Sequence, residues 1–268
     1  MKSVKVIIQE QLQNIYMIAR LSGYELKKTY AGNLLGSLWI ILNPLLQVGI
    51  YWIVFGLGVR GGQDVNGTPF FVWLICGLIP WFFMSAAILQ GSNSIYARIN
   101  TVSKMNFPLS VVPTYVIVAQ LYTHLILTVV MVIIVVAVQG IHTINIISLI
   151  YYIVSAFCFL LTLSFVTSTL STMVRDIHLL IQTATRMLFY ITPILWIPSD
   201  NMPELLRDIF AINPFYYLVE GYRISLLEGH WNGILSGYSL VFWLFIIILL
   251  FFGSVIHVKF RKQFVDYL

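Results

Sequence analysis

Charged residues are scarce in this chain, and their scarcity limits what the protein can be. Asp, Glu, Lys and Arg make up 9 % of its 268 residues, while hydrophobic residues make up 59 %. Soluble domains carry about 25 % charged residues, so the chain lacks the charge that covers a water-soluble surface. The high hydrophobicity also excludes intrinsic disorder. The composition therefore predicts a polytopic helical membrane protein, with room for about six spans of about 20 residues each.

Cysteine and the common catalytic motifs are also scarce or missing. The two cysteines, Cys76 and Cys158, lie in apolar runs, which favours small buried side chains over a disulfide or a metal pair. The sequence contains no P-loop, no His-Glu-x-x-His motif and no Gly-x-Ser-x-Gly motif. Its five histidines show no metal-ligand spacing. We therefore expect no catalytic residues in this chain, and no metal or cofactor bound by it.

Long intervals without charge locate the predicted spans. Asp, Glu, Lys and Arg are absent from residues 29–59, 65–97, 105–174 and 229–258. The third interval is too long for one helix and divides at a polar, glycine-containing stretch, and a shorter apolar segment that contains Arg186 follows it. The resulting spans cover about residues 36–58, 70–92, 110–138, 146–172, 178–197 and 233–257. They contain no Asp or Glu, which argues against an ion-driven carrier and indicates that a partner supplies the energy.

The distribution of charge predicts the orientation of the spans. With the N-terminus inside, eleven of the fifteen basic residues fall in the inner segments 1–28, 98–104, 175–176 and 259–268, and six of the ten acids fall outside. Lys and Arg concentrate on the cytoplasmic side of membrane proteins. We therefore expect six spans with both termini in the cytoplasm. The net charge of +5 is then explained by the basic residues of the cytoplasmic segments, and it does not predict a nucleic-acid partner.

Three segments do not fit the pattern of spans. Over residues 4–28 an apolar stripe recurs at helical spacing opposite a polar stripe, which predicts an amphipathic helix in the inner membrane interface or a soluble helix packed on a partner. The apolar stripe consists of Val4, Ile8, Leu12, Ile15 and Ala19. The inner loop 93–108 is expected to form a short helix that docks on a soluble partner, or an ordinary connection. On the outer side, Pro203 and Asn213 begin two helices too short to span, which predicts a re-entrant hairpin over 198–230 or a plain extracellular cap.

Several side chains are candidates for a substrate path. Aromatic rings near the span ends fit the usual interfacial belt, but ring faces also stack on sugars. A mid-span Arg is costly unless it snorkels or faces water, so Arg186 either contacts a lipid diphosphate at a dimer axis or lies at the interface. Glu220 and Arg223, three apart on a helix, are predicted to pair structurally at the outer boundary. The candidate path residues are Trp39, Trp52, Arg186, Phe189, Tyr190, Trp196, Tyr216 and Tyr217.

Three motifs, taken together, resemble the membrane subunit of type-2 ABC exporters. Residues 30–44 contain Leu-Gly-x-Leu-Trp…Asn-Pro, residues 105–108 read Met-Asn-Phe-Pro, and residues 213–223 contain Asn-Pro…Glu-x-x-Arg. The resemblance covers essentially the whole chain in order. Ala31 departs from the pattern, because members often carry a basic residue there, but Lys27 and Lys28 supply that charge one turn earlier.

The resemblance implies a single transmembrane domain over residues 1–268 in the bacterial cytoplasmic membrane, working as a homodimer. Two separate ATPase subunits would bind ATP and Mg²⁺. The chain is most similar to the polysaccharide-export branch, and within it to the teichoic acid translocation permeases, whose cargo is a cell-wall polymer on a polyprenyl diphosphate lipid. Permeases for O-antigen or capsular polysaccharide are the alternative, and permeases for drugs or lipids are the second alternative.

The inner charges are expected to couple ATP hydrolysis to transport. The predicted coupling residues are Arg98, Lys104, Arg175 and Asp176. We expect the inner loop, the N-terminal helix and the connection before span five to pass movement of the ATPases to the spans, so that the first and fifth spans of two protomers part. Charge reversal at Arg98 with Lys104 is expected to uncouple hydrolysis from export or weaken assembly. An intramembrane enzyme or channel without an ATPase remains a hypothesis of another class.

Overall fold

The computed structural model describes residues 2–99, 108–198, 203, 208–210, 212–230 and 236–261. Within these ranges the chain is helical, and its only β feature is an isolated bridge between Val65 and Thr68. The helices are α1 Lys2–Gln13, α2 Ile15–Tyr30, α3 Trp39–Tyr51, α4 Phe70–Ser92, α5 Val111–Gln139, α6 Ile146–Met173, α7 Asp176–Ile191, α8 Pro214–Arg223 and α9 Gly237–Phe260. Short 3₁₀ turns cover Gly36–Leu38, Tyr96–Arg98 and Ile141–Thr143, and π-helical segments extend α3 over Trp52–Val59 and α8 over Ile224–Glu228.

Among the described residues, five helical segments are long and apolar enough to cross a membrane. They are Gly36–Val59, Phe70–Ser92, Val111–Gln139, Ile146–Met173 and Gly237–Phe260. The all-helical prediction is therefore confirmed, and these segments coincide with five of the six predicted spans. The last of them begins with Ser236 as its N-cap, whose hydroxyl accepts a hydrogen bond from the Ser239 amide.

The predicted span 178–197 is wrong as a continuous helix, because α7 ends at Ile191. Sixteen residues extend about 24 Å at 1.5 Å per residue, which is shorter than the roughly 30 Å hydrocarbon core of a bilayer. The reason is Pro193. Thr192 adopts φ −71° and ψ 132°, the extended conformation that a residue before proline prefers.

The predicted N-terminal helix 4–28 is two helices, α1 and α2, separated at Asn14. The side-chain amide of Asn14 donates a hydrogen bond to the backbone carbonyl of Glu10 at 2.8 Å. Local bonds of this kind compete with a continuous helix. Ile7 and Ile18 face the bundle and are buried, whereas much of the predicted apolar stripe is exposed. The exposed members include Ile8, Leu12 and Ile15.

Helix α4 is the centre of the bundle and is buried along most of its length. Helices α5, α6, α7 and α8 pack on it, α9 packs on α6, α2 packs on α5, and α1 packs on α9. Helix α3 with its π-helical extension lies at the periphery, and much of its apolar surface is exposed, including Leu42, Leu46, Ile50, Ile53 and Leu57. The groove described below lies between this peripheral helix and the core.

Helix α8 begins deep in the bundle. Asn213 caps it by accepting a hydrogen bond from the Phe215 amide at 3.0 Å, and Pro214 is its first residue, as the Asn-Pro pair predicts. The Phe215 ring lies 5.3 Å from that of Phe159, near the middle of α6. Towards its other end, the Ser225 hydroxyl lies 2.6 Å from that of Ser148, in the first turn of α6. Helix α8 therefore runs antiparallel to α6, from its middle to its start.

Helices α7 and α8 contact α4 one after the other. The His178 ring meets the Ser92 hydroxyl at 2.9 Å at the end of α4, and Phe189 lies 5.6 Å from Trp81 in the middle of α4. Phe215 of α8 also contacts Trp81, with ring centroids 6.1 Å apart. The end of α7 and the start of α8 are also joined directly, because the Asn213 amide donates to the Thr192 hydroxyl at 3.3 Å. The predicted first short helix at Pro203 lies mostly outside the described residues.

Candidate functional site

A cavity of about 440 Å³ lies between α3, α4 and α7, and we call it the α3–α4–α7 groove. It brings together three of the predicted path residues, Arg186, Phe189 and Tyr190. The other lining residues are Gln47, Tyr51, Trp81, Phe82, Ser85, Leu89, Gln182 and Thr185. Aromatic rings, amides and one guanidinium therefore share a single surface.

The aromatic side of the groove is built around Phe189. Its buried ring lies 5.5 Å from Tyr51, 5.6 Å from Trp81 and 5.2 Å from Tyr190, measured between ring centroids. These separations fall in the range in which aromatic pairs stabilise each other. One phenylalanine thus joins the three helices and leaves the exposed Tyr190 at the rim.

The polar side of the groove holds the unusual arginine. Arg186 is exposed and makes no ion pair within the described part of the chain. Its neighbours on α7 are apolar and also exposed, namely Met187, Tyr190 and Ile191. An exposed cation in such surroundings suits an anionic group, and the amides of Gln47 and Gln182 offer donors and acceptors beside it.

The other predicted path residues lie elsewhere. Trp52 packs on Phe71 with ring centroids 5.9 Å apart, and Trp39 is half-buried at the start of α3. The Trp196 indole donates to the Tyr190 carbonyl at 3.0 Å. Tyr216 and Tyr217 lie on α8. The predicted set therefore divides among the groove, α3 with its π-helical extension, the residues after α7, and α8.

Sequence reasoning left eight groove residues out of the predicted path, among them Gln47, Tyr51, Trp81 and Gln182. A signal existed for some of them. Gln47 and Tyr51 are four apart on α3, and Gln182 and Arg186 are four apart on α7, so each pair shares one face of its helix. The aromatic content marked Tyr51 and Trp81 only as members of a large group of rings near the spans.

Arg223 forms a second centre, deep between α4, α7 and α8. Its side chain is 4 % exposed, and its two terminal nitrogens donate to the carbonyls of Pro193 and Ile194 at 2.9 and 2.8 Å. The guanidinium lies 3.6 Å from the centre of the Trp73 ring, a cation–π contact. Arg223 therefore satisfies two carbonyls of the turn that follows the end of α7 at Ile191.

The predicted partner of Arg223 lies beside it at the edge of this centre. A Glu220 carboxylate oxygen lies 3.4 Å from a terminal nitrogen of Arg223, and the Glu220 side chain is 37 % exposed. Arginine stays protonated in proteins, so the Glu220 carboxylate compensates a buried positive charge.

The predicted inner face holds three of the four predicted coupling residues. Arg98 forms an ion pair with Glu25 of α2, and its guanidinium lies 5.7 Å from the Tyr115 ring. Arg175 lies over the Tyr96 ring at 4.4 Å. Asp176, in the first turn of α7, lines a groove of about 280 Å³ together with Tyr96 and Arg175. Lys104 lies outside the described residues.

Two acids that form ion pairs at the predicted inner face were not identified from the sequence. Besides Glu25, Glu10 of α1 pairs with Arg261 at 2.6 Å, beyond the end of α9, and it accepts a hydrogen bond from the Ser110 hydroxyl at 2.5 Å. These partners are far apart in the chain, so no local spacing predicts them. Together the two ion pairs connect α2 to the turn that contains Arg98 and α1 to the residue that follows α9.

Exchanging the charges of Arg98 and Glu25 provides a test of this arrangement. Arg98→Glu alone is expected to lower the midpoint of thermal unfolding, because two carboxylates then face each other. Adding Glu25→Arg should restore it, since the pair re-forms with opposite signs. A partly exposed pair contributes about 1 kcal/mol or less, so the shift is small and is measured on the purified protein.

The control for this exchange is Arg20→Glu, which changes an exposed cation on α2 and should leave the midpoint unchanged. A double variant no more stable than Arg98→Glu would contradict the pairing. If stability returns while ATP hydrolysis stays uncoupled from export, Arg98 also contacts the energy source.

Comparison with known proteins agrees with this architecture. The sequence profile described as "ABC-2 type transporter" matches residues 17–227. The chain is 27 % identical over 223 residues to the O-antigen export system permease protein RfbA of Myxococcus xanthus, covering 83 % of this chain and 84 % of that protein. Two proteins of the same name from Klebsiella pneumoniae are 27 and 28 % identical over 220 and 223 residues, each match covering 81 % of this chain and 82 % of the relative.

The profile match extends from α2 to the π-helical end of α8 and includes the groove, Arg223 and the inner ion pair of Arg98. It covers well over half of the chain. The chain belongs to the ABC-2 type transporter family.

Proposed function

We propose that this chain is the membrane subunit of an ATP-driven exporter that moves a lipid-linked surface polysaccharide of the O-antigen type across the bacterial cytoplasmic membrane. The family supports the transport role, and the names of the relatives favour O-antigen over the teichoic acid that the motifs suggested. Two ATPase subunits bind ATP and Mg²⁺ in this proposal, and the present chain binds neither.

We further propose that α7 and α8 together make the sixth crossing, so that both termini lie in the cytoplasm. The support is their consecutive contact with α4, from Ser92 through Trp81 to Trp73. A broken helix at membrane depth requires that protein groups satisfy its free backbone. Arg223 does this for the carbonyls of Pro193 and Ile194.

The observation that carries the function is the exposure of Arg186 beside exposed apolar residues of α7. A cation on a lipid-facing surface is costly, so this side of the groove faces water or a second protomer. We propose that α3 and α7 of two copies face each other in a homodimer and that the polymer passes between them. Arg186 binds the diphosphate of the lipid, and the rings of Tyr51, Trp81 and Tyr190 contact sugar units.

The inner face supports coupling to the ATPases. The groove lined by Tyr96, Arg175 and Asp176 opens between the inner loop and the start of α7. A partner that moves against it pushes on α7 directly and, through the Arg98–Glu25 pair, on α2. We propose Arg98, Lys104, Arg175 and Asp176 as the contact residues, with Lys104 included from its charge and position in the sequence.

Deletion of the gene tests the proposed function. Cells without this chain are expected to lose the polysaccharide from their surface and to accumulate lipid-linked polymer inside, because synthesis continues without export. Wild-type protein should restore the surface polymer fully, Arg186→Lys in part, and Arg186→Ala at a level several-fold below wild type. Surface polymer is measured by immunoblotting of intact cells, and internal polymer after lipid extraction.

The matched control is Arg20→Ala, an exposed arginine on α2, which should restore export like wild type. Normal surface polymer in the deleted strain would refute polymer export and favour a drug or lipid permease. Normal export with Arg186→Ala would remove Arg186 from the path. Purification without any P-loop ATPase would favour the channel or enzyme hypothesis.

A further inference from the structure

Two cavities flank α8 on the side of the bundle where α4 and α9 begin. One of about 400 Å³ lies beside the start of α4 and includes Trp73 and Glu228. The other, of about 470 Å³, lies towards α6 and the start of α9 and includes Tyr152 and Tyr238. Tyr216 and Glu220 line both cavities, so one ring and one carboxylate separate two spaces, each as large as a typical small-ligand pocket.

The chemistry of these cavities combines aromatic faces with carboxylates. The half-buried Tyr216 presents a ring with a hydroxyl at its tip, and such side chains suit ligands that are apolar on one face and polar at the edge. Glu220 is partly exposed and Glu228 is exposed. Ionised carboxylates accept strong hydrogen bonds from hydroxyl donors. A sugar unit carries both features, since its C–H face is apolar and its rim carries hydroxyls.

The charge of the cavities discriminates between classes of polymer. Arg223 is the single cation among the described residues that line either cavity. Its guanidinium is buried and committed to two carbonyls and to Trp73, so it is not free to bind a phosphate. Glu220 and Glu228 outnumber this one cation, so the described lining residues carry a net negative charge, which repels a phosphodiester chain. The cavities therefore favour a neutral ligand over a polyanion.

We propose that Tyr216 and Glu220 form the centre of a saccharide-binding site that holds neutral sugar units of the exported polymer after they leave the α3–α4–α7 groove. The inference rests on the proposed function and adds the substrate class, a neutral polysaccharide without phosphate in its backbone. Tyr216 stacks on the sugar ring, while Glu220 and Glu228 accept hydrogen bonds from its hydroxyls.

Binding to the full-length protein in lipid nanodiscs tests the site. The probe is lipid-free polysaccharide released by mild acid from the surface of cells that express this chain, with a poly(glycerol phosphate) oligomer of similar length as competitor. Saturation-transfer NMR and isothermal titration should show saturable binding of the polysaccharide. Tyr216→Ala should weaken it about tenfold, which corresponds to about 1.4 kcal/mol, and Glu228→Gln should weaken it less.

Two controls separate binding from folding. Tyr216→Phe keeps the ring and should retain most of the affinity, and Tyr24→Ala removes an exposed tyrosine of α2 and should change nothing. Equal affinity of wild type and Tyr216→Ala would overturn the site. A phosphate-rich polysaccharide, or competition by the poly(glycerol phosphate) oligomer at similar concentration, would overturn the substrate class.

The experiment also separates this inference from the proposed function. If the deleted strain loses surface polymer but Tyr216→Ala binds sugar normally, only the site is refuted. If deletion leaves export intact, the proposed function fails whatever the binding result.

Discussion

Replacing Arg223 with lysine is expected to abolish export and to lower the stability of the protein by about 2–4 kcal/mol, because each buried carbonyl left without a donor costs about 1–3 kcal/mol. A lysine keeps the charge, but its ammonium is a compact point charge without the planar fork of arginine. It cannot donate to Pro193 and Ile194 and also lie flat on Trp73 as the guanidinium does. If this conservative change fails as expected, the planar shape of the Arg223 side chain is required and its positive charge alone is not sufficient.

The measurement is the midpoint of thermal unfolding in detergent, followed by surface polymer in complemented cells. The matched control is Arg20→Lys, on the exposed side of α2, which should behave as wild type in both assays. An Arg223→Lys protein with an unchanged midpoint would show that charge alone suffices and would contradict the role of the two carbonyl bonds.

Gly221→Ala is expected to have an effect of similar size for a steric reason. A Cβ atom at this position would lie 2.1 Å from a ring carbon of the buried Tyr152. Either the ring or helix α8 must then shift, and a shift of α8 away from α6 disturbs the Ser148–Ser225 contact. Overpacking of this kind costs about 1–3 kcal/mol, occasionally more.

A second substitution makes this prediction specific. Tyr152→Leu removes the ring that the new methyl group meets, so the double variant should be more stable than Gly221→Ala alone. Gly23→Ala is the matched control, since a Cβ there has no neighbour within 4 Å, and it should be neutral or stabilising by up to about 1 kcal/mol. Failure of Tyr152→Leu to restore any stability would mean that the clash is not the cause.

The sequence predicts the apolar helices well because the absence of charge is a strong and local signal. Four charge-free intervals and one polar turn locate five helices whose bounds agree closely with the structure. The same signal fails at α7, because an interval free of acids says nothing about where a helix stops. The informative residue was Pro193, whose effect on Thr192 is a matter of backbone conformation and not of hydropathy.

The candidate site was most clearly predictable where a residue is unusual in its own surroundings. Arg186 stands out in an apolar segment, and the structure places it in the α3–α4–α7 groove. Trp81 and Tyr51 do not stand out, because rings are common throughout the spans. The ion pairs of Glu10 and Glu25 depend on contacts between distant parts of the chain, which composition and periodicity do not report.

The direct bond between Thr192 and Asn213 has a consequence for loop length. It closes the segment 193–212 at its base, while α4 holds the helices on both sides of it. The entropy lost on closing a loop grows only with the logarithm of its length, about 0.6 kcal/mol for each doubling. We therefore expect insertions or deletions between Ile197 and Phe210 to leave the packing of α7 and α8 on α4 largely unaffected.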